Sequence, residues 1–126
     1  MPHKAPPYED YAYQLALTAA HSADDRQGAD IVILSLGEVT VLADYFVIVT
    51  GFSKAQVRAI AKHIEEKILE QFDRQPLRTS GELDASWVVQ DFGEVIVHIM
   101  QSKEREFYAL ESFWGHAPKF MLTKSA

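Results

Sequence analysis

The sequence predicts an α/β fold, a single domain in which a mixed β-sheet is flanked by helices. Three observations predict it. Residues 31–36 and 45–50 are branched apolar runs of strand length, each closed by glycine. Residues 87–100 form a further apolar stretch that divides at Phe92-Gly93, the signature of a tight hairpin. Around these runs, apolar residues recur at helical spacing.

Residues 1–7 are polar and proline-rich and read as a flexible N-terminal tail. From residue 8 to residue 26, Tyr8, Ala12, Leu15, Ala16, Ala19 and Ala20 give a first helix, which Asp24-Asp25 and Gly28 end. Asp30 then opens the first strand, and after a connector over residues 39–43 Asp44 opens the second. Both lack polar alternation, which predicts a sheet covered on both faces. Ser53 with Gln56 forms a capping-box pattern, and Val57, Ile60, Ala61, Ile64, Ile68 and Phe72 place one apolar stripe on the helix that follows. That helix stops before Pro76, and residues 76–86 read as an edge strand or loop. Two strands, 87–91 and 94–100, and a helix over 102–114 complete a domain spanning 8–118, with 119–126 as a C-terminal tail.

A chain of 126 residues can bury its own core, and its 48% apolar and 24% charged content is that of an ordinary globular protein. The absence of cysteine removes disulfides, thiolate metal sites and cysteine nucleophiles, and fits a reducing, cytoplasmic setting. No export or transit pattern is expected at the N-terminus. No apolar run approaches the roughly 20 residues of a membrane helix. A net charge of -6 disfavours primary binding to nucleic acid, which relies on lysine and arginine neutralising phosphates. It favours encounter with a basic partner.

Catalytic signals are weak. Gly51-Phe52-Ser53 lies between a strand and a helix, but Ala55 occupies the position where a nucleophile elbow needs glycine, and the lysine of a P-loop is absent. Ser53 is sufficiently explained as a helix N-cap, with anion binding at the helix start left open. His98 alternates with apolar neighbours on a strand, and His63 and His116 have no companions at metal-ligand spacing, so no metal or cofactor is expected. Asp44, Asp91 and Glu94 are the carboxylates that a magnesium-dependent nucleotidyl transfer would use, and that enzyme is the alternative reading. As turn formers they need no metal. Asp91 admits a further role, because Trp87, Val89 and Asp91 share one strand face. In the last helix Phe107 and Leu110 are expected in the core, Tyr108 and Trp114 are undecided, and Arg105 and Glu111 are spaced too widely for a one-turn pair.

Taken in order, several segments resemble the ribosomal silencing factor, or Iojap, family. They are Ala43-Asp44-Tyr45-Phe46-Val47-Ile48 with Thr50-Gly51 and Ser53, then Trp87-Val88-Val89, the run from Asp91-Phe92-Gly93-Glu94 to His98, and Arg105-Glu106-Phe107-Tyr108-Ala109-Leu110-Glu111 with Trp114. The similarity spans residues 11–118. It departs where Ser80-Gly81 replaces the family's Glu-Gly, and where Phe92 replaces a frequent tyrosine. The resemblance implies a nucleotidyltransferase-like topology without transferase activity, and a homodimer when free. It further implies docking on the large ribosomal subunit through ribosomal protein L-fourteen, which blocks the small subunit and silences translation under nutrient limitation. Carried over by residue, the implied contact face is Trp87, Val88, Asp91, His98, Met100, Arg105, Tyr108 and Glu111, with Asp91 and Glu111 meeting a basic partner.

Overall fold

A computed structural model of the chain describes residues 10–37, 40–115 and 117–122. Tyr8, Val39, His116 and the N-terminal tail of the sequence reading lie outside these residues. The first helix, α1 (Tyr11–Asp25), is capped by Asp10, its carboxylate accepting from the Ala12 amide. The other oxygen of Asp10 accepts from the Tyr45 hydroxyl at 2.7 Å, so one side chain both starts the helix and ties it to the sheet. Strands β1 (Ala29–Ser35) and β2 (Tyr45–Gly51) follow from the two branched runs and pair antiparallel.

Ser53 caps α2 (Lys54–Phe72), its hydroxyl accepting from the Gln56 amide at 3.0 Å. Gln56 reaches back, but its side-chain oxygen accepts from Phe52 N, one residue earlier than in the standard box. Residues 76–86 contain a short edge strand, β3 (Arg78–Ser80), and then come β4 (Trp87–Asp91) and β5 (Val95–Gln101). In the turn joining them Gly93 has φ +98 and donates its amide to Asp91 at 2.8 Å. The last helix is two pieces, α3 (Ser102–Tyr108) and α4 (Leu110–Phe113), separated by Ala109 at φ 43. A final strand, β6 (Lys119–Met121), pairs with β1, which corrects the expectation that residues from 119 onward are tail.

The six strands run in the order β3-β4-β5-β2-β1-β6, and the central pair, β2 with β5, is parallel within an otherwise antiparallel sheet. On one face Ile31, Ile33, Val47, Val49, Val97 and Ile99 pack under α1 and α2. On the other, Val32, Leu34, Phe46, Ile48 and Met100 form a second cluster covered by Trp87, Leu110 and Trp114. The sheet is therefore covered on both faces, unequally: long helices on one side and aromatic side chains with short helical turns on the other. Among the described residues no helix is long and apolar enough to cross a membrane.

Gly81 starts the loop that delivers Trp87. It has φ +87, and a Cβ added there would lie 2.0 Å from the Trp87 carbonyl oxygen. Gly81→Ala is expected to destabilise the chain by about 2 kcal/mol or more, since the strained backbone and the clash act together. Urea unfolding measures this, and an unchanged midpoint would contradict the close approach.

Candidate functional site

The thinly covered face of the sheet carries a row of rings. The antiparallel register sets Trp87 opposite Met100 and Val89 opposite His98, so Trp87 and His98 are diagonal neighbours on one face. The Trp87 indole donates Nε1–H to His98 Nδ1 at 3.1 Å. Tyr108 stacks at a tilt against the outer side of the indole, 4.8 Å between centroids, and Phe107 meets Tyr108 edge-on at 4.9 Å. Beneath, the Phe46 ring lies 4.6 Å from the imidazole and 6.2 Å from Trp114. Phe107 is 78% exposed and Tyr108 45%, so the row runs from core to solvent. Large aromatic rings left exposed on a buried aromatic base make this face a candidate for binding.

A cationic clamp holds this layer to the sheet. Arg105 donates to both oxygens of Glu111, the shortest contact being 2.7 Å, and also to Thr50 Oγ1 at 2.9 Å and the Asp30 carbonyl at 2.7 Å. The pairing of Arg105 with Glu111 overturns the expectation drawn from a straight helix. Ala109, in the left-handed conformation, folds α4 back so that residues six apart face each other. Phe107 faces solvent, against its expected place in the core, while Leu110 packs on the second cluster. Trp114, undecided from the sequence, joins it there. Burial works against the charge of Glu111, but the hydrogen bonds from Arg105 outweigh it and keep the carboxyl below the usual range. Asp30, Val32, Lys119 and Met121 line a shallow groove beside the clamp.

The residues expected at the contact face fall into four groups. Trp87 meets both His98 and Tyr108. Arg105 and Glu111 spend their charges on each other, so Glu111 is not free to complement a basic partner. Val88 turns to the opposite face and is fully buried in the first cluster, and Met100 is fully buried in the second. Neither offers an accessible contact. Asp91 shares the Trp87 side of β4, partly exposed, with one oxygen on the Gly93 amide. Sequence reasoning missed Phe46, Thr50 and Asp30. The alternation of Phe46, Ile48 and Thr50 along β2 marks one face and was the available signal for the first two.

Two of the carboxylates of the enzymatic alternative are engaged elsewhere. Glu94 forms a bidentate pair with Arg74, both contacts at 2.8 Å, which holds its carboxyl below the usual range. Asp91 caps the hairpin turn, and Asp44 is exposed at the head of β2. Among the described residues no group of three or more histidines, cysteines or acids could hold a metal ion.

Burial lowers His98 from 6.5 to about 4. Below its ordinary value the unfolded chain therefore binds a proton that the folded chain refuses. The stability contribution is complete above pH 6.5 and drains away as the pH falls to about 4. Unfolding free energy is expected to drop by up to about 3 kcal/mol across this window. Glu94 and Glu111 steepen the loss only at lower pH, because their folded forms hold charge longer than free carboxylates. Urea titrations at stepped pH check this, and His98→Phe should flatten the upper part of the slope.

Comparisons with known proteins agree with this architecture. Residues 9–126 match the family described as ribosomal silencing factor during starvation. The ribosomal silencing factor of Bacillus subtilis is 40% identical over 100 residues, which cover 79% of this chain and 84% of that protein. A solved protein from Chromobacterium violaceum superposes with a TM-score of 0.80 at 27% identity, covering 93% of this chain and 97% of the other. A second, from Bacillus halodurans, gives 0.75 at 33% identity, covering 86% and 98%. With a family match over nearly its whole length and relatives of the same fold, the chain belongs to the ribosomal silencing factor family.

Proposed function

We propose that this chain silences translation by occupying a surface, with no chemistry of its own. It docks on the large ribosomal subunit through ribosomal protein L-fourteen and sterically excludes the small subunit; when free in the cytoplasm it is a homodimer. The observation that carries the reading is the aromatic ledge of Trp87, Tyr108 and Phe107 in a chain of the silencing-factor family. Large rings rising from a packed base provide anchor residues at low entropic cost, because the base already fixes their orientation. Competition for the surface then becomes repression, since two bodies cannot fill one joint.

Sucrose-gradient sedimentation of the tagged chain with purified subunits tests this. The chain is expected to travel with large subunits and to reduce the yield of joined ribosomes in proportion to dose. Absence from the large-subunit fraction, or undiminished joining at saturation, would overturn the proposal.

A further inference from the structure

We propose that His98 acts on docking indirectly, as a positioning residue whose Nδ1 fixes the orientation of the Trp87 indole; this deepens, and rests on, the docking role proposed above. The indole has a single polar atom, and its N–H goes to His98 Nδ1 at 3.1 Å. That bond requires a neutral imidazole with its proton on Nε2. Nε2 itself is buried and finds no partner among the described residues. Leucine or phenylalanine would fill this strand position without an unmet donor, so packing alone does not account for a histidine. What the imidazole adds is an acceptor at the place where the indole needs one.

The neighbours fit the same role. Phe46 lies against the imidazole at 4.6 Å, and Tyr108 lies against the indole from outside at 4.8 Å. His98 is only 7% exposed, so it presents little surface to an incoming partner. Its influence on binding passes through the ring it holds.

The full-length chain is tested in two measurements. In the free protein, the ¹H–¹⁵N resonance of the Trp87 indole, assigned with Trp87→Phe, reports whether its N–H is held and shielded from solvent exchange. Cosedimentation with purified large subunits reports docking. His98→Phe keeps a ring and removes the acceptor; it should speed indole exchange and weaken docking about tenfold, the scale of one lost hydrogen bond. His98→Asn places an amide oxygen where Nδ1 stood and should restore both. On a Trp87→Phe background, which has no N–H to hold, His98→Phe should weaken docking no further. His98→Leu serves the same purpose if the larger ring does not fold.

The inference is overturned if His98→Phe leaves indole exchange unchanged, if His98→Asn fails along with it, or if the two substitutions add independently. Wild-type protein that does not cosediment would defeat the docking role instead. The indole resonance would still decide the positioning.

Discussion

Trp87→Ala is expected to abolish copurification with large ribosomal subunits. The indole touches Tyr108 on one side and donates to His98 on the other, so alanine removes the anchor and leaves the exposed tyrosine without its backing. Truncating a buried aromatic anchor costs about 2 kcal/mol or more of binding, roughly a thirtyfold loss of affinity. Trp87 also packs on the second core cluster, so some folding stability is lost with it. Thermal melting separates the two effects. A variant that remains folded at the assay temperature but no longer sediments with large subunits places Trp87 in the docking surface. A folded variant that still copurifies at the wild-type level removes it.

Arg105→Met is expected to cause the largest loss of stability outside the main core. The Arg105 side chain is 12% exposed and serves Glu111, Thr50 and the Asp30 carbonyl together. Methionine keeps much of the aliphatic volume but leaves Glu111 as an uncompensated, partly buried charge and removes the donor to Thr50 Oγ1. Removing one member of such a pair costs about 3 kcal/mol, toward the lower end of the range for buried pairs because Glu111 retains some solvent. Hydrogen exchange should locate the loosening in α3 and α4. Restoring neutrality with Arg105→Met plus Glu111→Gln should recover part of the loss. An unfolding free energy within about 0.5 kcal/mol of wild type, the range of an ordinary surface change, would show that the clamp carries little.

Local patterns in the sequence were sufficient for most of the elements and insufficient for how they meet. Branched runs marked β1 and β2, Ser53 and the apolar stripe marked α2, and Phe92-Gly93 marked the hairpin, because each rests on neighbouring residues. The parallel pairing of β2 with β5 joins segments about fifty residues apart, and nothing in either strand names its partner. The strand β6 was invisible for a similar reason: Lys119-Phe120-Met121 is too short to show a period and becomes a strand only because β1 has an open edge. The last helix illustrates a different limit. Residues 102–114 have helical composition throughout, and alanine at 109 argues for continuity. Tertiary contacts override it, since breaking the helix there is what lets Arg105 reach Glu111.

The site was legible in part. Aromatic residues in two separate segments, Trp87 and Tyr108, were identified before their contact could be known, and His98 was included with them. Val88 and Met100 were carried over from the family resemblance, which does not show that Val88 turns to the other face of the strand or that Met100 lies buried under the rings. The spacing of Arg105 and Glu111 was judged on an unbroken helix and so concealed their bond.

The parallel central pair has a consequence for how the molecule is made. During synthesis β2 emerges with only β1 beside it, and its other edge waits until residue 101 has been added. Nascent chains that stop short of that point expose an apolar ribbon with unpaired amides and carbonyls, the kind of edge that recruits other chains. Fragments ending before residue 101 should therefore aggregate, and cooperative folding should begin only when the last third of the chain is free to close the sheet.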